Sequence, residues 1–453
     1  MQSFDLIVIG AGSGLNVSSA AAEKGMKVAV VEKGPMGGTC LNRGCIPSKI
    51  IIHSADVAET IRKSKDFGIN SKINSIDFRK ITARASNIVD KDAKEIEEGI
   101  RDDKNTTLFK AEAKFIGNRT LKVGKEIIRG EKVVIAAGTR PSIPDIEGLM
   151  GTDFITSNEA LRLKKQPKIM TIIGGGYIAA ELAHFYGALG TEINIVQRRD
   201  VLIPEEDEEI SKKFTEIFRK KYNILTGHNA IKVEKKKNKF IITVESRNKI
   251  KKIMSDALLA AAGRIPNTDL LDVENTNVEI DDKGFIKINE YLETTAKNIW
   301  ALGDIAGKYL FKHSANLEAE YVYYNAIQGK RIKIDYNAMP HAIFSSPQVA
   351  GVGLREQDLK ERKIDYAVGK YYYINSGMGI ALQDNEGFVK IFADRKTRKI
   401  LGCHILGTDA SNLIHEVIVA MKNNLTVDTI SNVVHIHPAL SEVVQRAVNS
   451  LEL

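Results

Sequence analysis

Asp5-Leu-Ile-Val-Ile9-Gly10-Ala-Gly12-Ser-Gly14-Leu15-Asn16 decides the fold of this chain. An unbroken apolar run of this kind fills a strand buried on both faces of a parallel sheet. The glycines then make a tight turn, and a helix runs on to Gly25. Lys27-Val-Ala-Val-Val-Glu32 is the next strand, and Glu32 stands 20 residues after Gly12, where an acid reaches a ribose. Bare backbone at Gly10 and Gly12 lets a pyrophosphate approach the helix N-terminus, whose dipole favours an anion. Leu15 replaces the third glycine of G-x-G-x-x-G. Close packing of helix on strand then needs another source, and Gly14 is the candidate.

The pattern returns at Lys168. Ile169-Met-Thr-Ile-Ile173 is a strand, Gly174-Gly-Gly176-Tyr177-Ile178-Ala-Ala-Glu181 turns into a helix, and Thr191-Glu-Ile-Asn-Ile-Val196 is the following strand. Two dinucleotide modules imply two dinucleotides. The second strand ends on Gln197, followed by Arg198 and Arg199, where an acid would take an adenosine 2′-hydroxyl and a basic residue a 2′-phosphate. The expectation is NADP(H) over NAD(H).

Between the modules lies Gly37-Gly38-Thr39-Cys40-Leu-Asn-Arg-Gly-Cys45-Ile-Pro-Ser-Lys49, with two of the three cysteines of a chain of 453 residues. Two thiols this close can form and break one disulfide in place, which is redox chemistry rather than stapling. No second Cys or His pair stands nearby at ligand spacing, so no metal site is read. Cys403, in a strand-like run, reads as an inert buried thiol. Near the C-terminus stands His435-Ile-His437-Pro438-Ala-Leu-Ser-Glu442. Histidine can accept a thiol proton near neutral pH, and a carboxylate on its other nitrogen fixes the tautomer.

The two-cysteine stretch resembles the redox-active disulfide signature of the class I pyridine nucleotide–disulfide oxidoreductases, the family of dihydrolipoamide dehydrogenase and of glutathione, mycothione and mercuric reductases. The Gly-Ser-Gly-x-Asn form of the first turn is closer to mycothione reductase. The resemblance implies an α/β protein with two Rossmann-like dinucleotide-binding domains and a C-terminal α+β dimerisation domain. The expected bounds are 1–145 and 269–334 for the two parts of the FAD domain, 146–268 for the NAD(P) domain and 335–453 for the dimerisation domain.

The resemblance implies FAD at Gly10, Gly12, Gly14, Glu32, Lys33, Gly38, Thr39, Lys49, Gly138, Asp304 and Ala315. It places the nicotinamide nucleotide at Gly174, Gly176, Tyr177, Ile178, Glu181, Gln197, Arg198, Arg199 and Gly263, with Glu181 bridged to Lys49. Cys45 becomes the flavin-side thiol and Cys40 the interchange thiol. His437, carried by the other subunit of a homodimer, shuttles the proton, and Glu442 orients it. Dihydrolipoamide dehydrogenase leads as the expected activity, with a lipoyl domain or another small dithiol as substrate. The alternative is an NADPH-dependent reductase of a low-molecular-weight disulfide. Mercuric reductase comes third, since the tail has no added cysteine pair. A non-catalytic flavoprotein would not need the cysteines and the dyad together.

The bulk numbers fit a globular enzyme of two to four domains. Lys and Arg number 65 against 57 Asp and Glu, a formal charge of +8. Lysine runs flanking Phe240-Ile-Ile-Thr-Val244 read as a solvated hairpin edge, and no nucleic-acid motif accompanies them. No signal peptide or spanning segment is read, so the expectation is a cytoplasmic protein with no membrane partner.

Overall fold

The computed structural model describes residues 1–453, which form two compact units. The first holds residues 1–50, 80–142 and 263–335. Its parallel strands run Thr106–Phe109, Val28–Val31, Gln2–Ile9 and Glu126–Ile135 across the sheet, with Ile299–Ala301 added beside the last. An antiparallel pair, Ala113–Gly117 and Thr120–Val123, extends the same sheet. Leu6, Ile7 and Val8 are fully buried, as an apolar run with cover on both faces requires.

The second unit holds residues 51–79, 143–262 and 336–453. Its parallel sheet runs Asn223–Thr226, Glu192–Gln197, Ile169–Ile173 and Ala257–Ala260. The lysine-rich region is a three-stranded antiparallel sheet, Asn229–Lys236, Lys239–Ser246 and Lys249–Ser255. Several of its lysines pair with surface acids, Lys232 with Glu147 among them, so part of the positive charge is spent locally. A five-stranded antiparallel sheet carries the C-terminal region, in the order Pro340–Ile343, Gln348–Gly353, Ile400–Gly407, Phe388–Asp394 and Tyr366–Tyr372. Cys403 lies in its core, fully buried. No helix is long and apolar enough to cross a membrane.

The two glycine turns are built alike. The Gly10 N–H donates to Val31 O at 2.8 Å, and the Gly174 N–H donates to Val196 O at 2.9 Å. Both glycines have positive φ, +103° and +112°. A methyl on Gly10 would lie 2.3 Å from Ala136 O, and one on Gly174 2.2 Å from Ala261 O. Only glycine fits either position. Gly14 does stand where the helix meets the strand, since a methyl there would come within 2.8 Å of Val8 and 2.9 Å of Ala136. The packing that Leu15 could not permit is therefore supplied one residue earlier. We expect Gly10→Ala to lower stability by about 2 kcal/mol or more, from strain and overpacking together. The thermal unfolding midpoint reads it, and an unchanged midpoint contradicts the turn geometry.

Inside the second unit the nucleotide module is fastened to the C-terminal sheet by charge. Lys390, on strand Phe388–Asp394, is 3% exposed and meets Asp207 at 3.1 Å, Glu356 at 2.7 Å and Glu209 at 3.1 Å. Asp207 caps helix Glu208–Lys221 and also accepts the Glu356 N–H.

Candidate functional site

In the first unit the cysteines sit on the first glycine turn. Gly37 and Gly38 both take positive φ, which starts the short helix Gly38–Arg43 abruptly. The Gly37 N–H donates to Ala11 O at 2.8 Å. A methyl on Gly38 would lie 2.7 Å from Gly12 Cα, so the cysteine helix rests on bare backbone. Gly44 breaks that helix, and Cys45 begins the 19-residue helix Cys45–Lys63. Pro47 falls in its first turn, where a missing N–H costs nothing. A thiol at a helix N-terminus is favoured as thiolate by the dipole.

Cys40 and Cys45 form a hydrogen-bonded dithiol. That bond, together with burial, pushes the Cys40 thiol up, while the Lys312 ammonium opposes the rise. Cys45 is exposed and Cys40 partly buried, so accessibility does not choose the interchange thiol, and the assignment to Cys40 rests on the family resemblance.

The rest of the first module forms a polar cradle around the turn. The Glu32 carboxylate accepts N–H bonds from Ala11 at 3.0 Å and Gly34 at 2.7 Å. Asp304 lies in the turn after strand Ile299–Ala301 and accepts a hydrogen bond from Thr139 at 2.8 Å. Burial pushes its carboxyl up, against the effects of Thr139 and Arg264. A half-buried acid with spare acceptor capacity suits the hydroxyls of a polyol. Ala315 is buried against Gly303, and Gly138 turns with positive φ while its carbonyl accepts the Asn267 N–H. Lys49 donates to Ser48 at 3.4 Å, and Thr39 is exposed beside Cys40. Lys33 lies apart from the cradle, paired with Glu112 at 2.9 Å on the surface. Bare Gly12, placed Glu32 and half-buried Asp304 fit an FAD.

Two residues near the cysteines carry no role in the sequence reading. Arg264, next to Gly263, donates to Thr139 Oγ1 at 2.7 Å and to Thr139 O at 2.8 Å. Lys312, next to His313, donates to Ser13 Oγ at 2.8 Å, on the glycine turn itself. The available signal was position: Arg264 adjoins Gly263, and Lys312 stands three residues before Ala315. Gly263, expected at the nicotinamide nucleotide, belongs to the first unit, where its carbonyl accepts the Ser142 N–H.

In the second unit Gly176 precedes helix Tyr177–Ala188, and Ile178 is half-buried in its first turn. Tyr177 donates to the buried Glu206, which also meets His341 at 2.8 Å. Glu181 accepts the Phe344 N–H at 3.0 Å. Gln197 is buried, with its side chain against Gly175. Arg198 is exposed, and Arg199 reaches Glu205 at 3.2 Å.

The same unit carries the histidine pair. His437 Nδ1 meets the Glu442 carboxylate at 3.0 and 3.2 Å, and Glu442 also accepts the Ala439 N–H. The bond with His437 holds the Glu442 carboxyl below its ordinary range. His437 is 76% exposed, so its second nitrogen faces outward. His435 differs: it is 7% exposed and its Nε2 is spent on Glu416 at 3.0 Å. Geometry therefore separates the two histidines. Val434 and Ile436, beside them, are 99% and 79% exposed.

A duplicated nucleotide turn, a dithiol laid on the first copy and a carboxylate-held histidine together define a nucleotide-dependent disulfide oxidoreductase. The chain belongs to the pyridine nucleotide-disulphide oxidoreductases: residues 4–339 match that family and residues 339–448 match its dimerisation domain. It is therefore a flavoprotein disulfide oxidoreductase, of a family that uses FAD and a pyridine nucleotide. It is 35% identical to mycothione reductase of Mycobacterium tuberculosis, over 100% of both chains. It is 33% identical to dihydrolipoyl dehydrogenase of Bacillus subtilis, over 98% of this chain and 95% of that one. Among solved structures, the HOCl-induced flavoprotein disulfide reductase RclA from Escherichia coli, in its Cu(II) complex, superposes with a TM-score of 0.89. That likeness covers 99% of both chains at 27% identity.

Proposed function

We propose that the protein is a homodimeric, NADPH-preferring reductase of a small disulfide, with Cys40 and Cys45 as its redox pair. The observation that carries the reading is the Cys40–Cys45 dithiol seated on the first glycine turn. FAD, when bound at Gly10, Gly12, Glu32 and Asp304, supplies the two-electron exchange between nucleotide and cysteines. The chain's own residues do the rest. The Cys40 thiolate attacks a substrate disulfide, forming a mixed disulfide and releasing one thiolate. That thiolate takes a proton from His437 of the other subunit. The Cys45 thiolate then attacks Cys40 Sγ, restoring the Cys40–Cys45 disulfide and expelling the second thiolate, which takes its proton from solvent. Glu442 fixes the His437 tautomer and balances its charge.

Gln197 orders the substrate readings. Without an acid at the strand end, a 2′-hydroxyl has no carboxylate acceptor and a 2′-phosphate meets no like charge. The exposed Arg198 guanidinium can take that phosphate bidentately. The resemblance to glutathione reductases implies a second phosphate-binding arginine where this chain has Pro204, so the outcome is preference rather than exclusion. We expect a higher kcat/KM with NADPH than with NADH, reversed by Gln197→Glu combined with Arg198→Ala. A clear wild-type preference for NADH would favour the second reading, a dihydrolipoyl dehydrogenase, which the likeness to the Bacillus subtilis enzyme supports. A steady-state screen against lipoamide, glutathione disulfide and mycothione with both nucleotides tests the substrate.

A further inference from the structure

Lys312 is a half-buried ammonium whose hydrogen-bond acceptor is a neutral hydroxyl. It opens helix Lys312–Val322, and its Nζ donates to Ser13 Oγ, which donates in turn to Asn316 at 3.0 Å. No carboxylate pairs with it. Ser13 adjoins Gly12, and Gly12 is the residue on which Gly38 and the cysteine helix rest. The ammonium is therefore fixed beside the platform that carries Cys40. A desolvated cation needs an anion nearby. The anions this site generates are the thiolates of the reduced pair.

We propose that Lys312 is a positioning residue for the redox pair, the countercharge that favours the thiolate of Cys40 in the reduced protein. The proposal rests on reading those cysteines as the redox pair. The charged groups facing the pair are Lys312 from its helix and Arg264 from strand Arg264–Pro266, with Asp304 behind it; Lys49, on the cysteine helix, donates to Ser48, and Arg43 is exposed near Gly34. Arg264 is committed to Thr139 by two hydrogen bonds and lies 3.8 Å from Asp304. Lys312 has no such competitor. Burial pulls its ammonium down and the two thiols hold it up, Cys40 more than Cys45. The Cys40 thiol is lowered by Lys312 in return.

The test is iodoacetamide alkylation of the reduced, flavin-loaded protein across a pH series, resolved by residue in a mass spectrometer. Lys312→Met should raise the alkylation midpoint of Cys40 by about one pH unit or more. That corresponds to about tenfold less thiolate at a fixed pH below the midpoint. Lys312→Arg should keep the wild-type midpoint, since it keeps the charge. Bound FAD is measured in each variant. An unmoved midpoint in Lys312→Met overturns the proposal. Loss of FAD with an unmoved midpoint overturns it too, because it makes Lys312 a phosphate ligand. Lys312→Gln gives the same reading if the Met variant does not fold. Mild oxidation of the wild type separates the two layers. If Cys40 and Cys45 do not join, the redox-pair reading fails; if they join and the midpoint stays, only the role of Lys312 fails.

Discussion

Cys45→Ser should reduce disulfide turnover to background. A serine hydroxyl is far too weak an acid to supply the anion that resolves a mixed disulfide. Cys40 remains in that variant and can still attack, so the substrate should accumulate as an adduct on Cys40, one per subunit by mass. Cys40→Ser should be equally inactive, with slower adduct formation on Cys45. Electron flow from nucleotide to an artificial acceptor such as a quinone should persist in both, because it needs neither sulfur. The exposure of Cys45 makes this comparison decisive. Faster trapping on Cys45 than on Cys40 reverses the two roles. Disulfide turnover surviving in Cys45→Ser removes the pair from the mechanism altogether.

The second large effect belongs to His437. His437→Ala should lower disulfide turnover by about 10²-fold or more, the range of a general acid–base group. Nucleotide oxidation with an artificial acceptor should be largely spared. Glu442→Gln should be milder, since the amide still accepts from the ring but carries no charge. His435→Ala gives the contrast: its ring is buried and tied to Glu416, so its loss should act on stability before activity. In the homodimer, mixed dimers of Cys45→Ser and His437→Ala subunits should regain part of the activity, because one of the two sites is then whole. Full activity in His437→Ala, or no recovery on mixing, would refute the shared site.

The features that sequence showed were local ones. Each glycine turn is fixed by a strand, a close backbone approach and a helix within a short span, so Gly10 and Gly174 could be read directly. The cysteine stretch and the His437–Glu442 pair are equally compact, and the structure places both partners of each pair together. Lys312 escaped because it reaches the first turn from 299 residues away along the chain, and Arg264 because it meets Thr139 from 125 residues away. Nothing in their own neighbourhoods states which backbone they meet. Lys33 shows the converse: it follows Glu32 in the motif, yet its side chain leaves the cradle for Glu112. The resemblance picked His437 over His435; what the sequence did not carry was the burial of the His435 ring against Glu416 and the outward exposure of His437.

The Lys390 cluster has a consequence for how relatives of this enzyme can recombine. Its three acids come from the nucleotide module and from residue 356, and its lysine from the C-terminal sheet. A chimera that takes residues 143–262 from one parent and 336–453 from another keeps Lys390 with Glu356, but leaves Asp207 and Glu209 dependent on the second parent for their cation. A new nucleotide preference is thus more readily acquired by point changes around Gln197 than by exchanging the module whole.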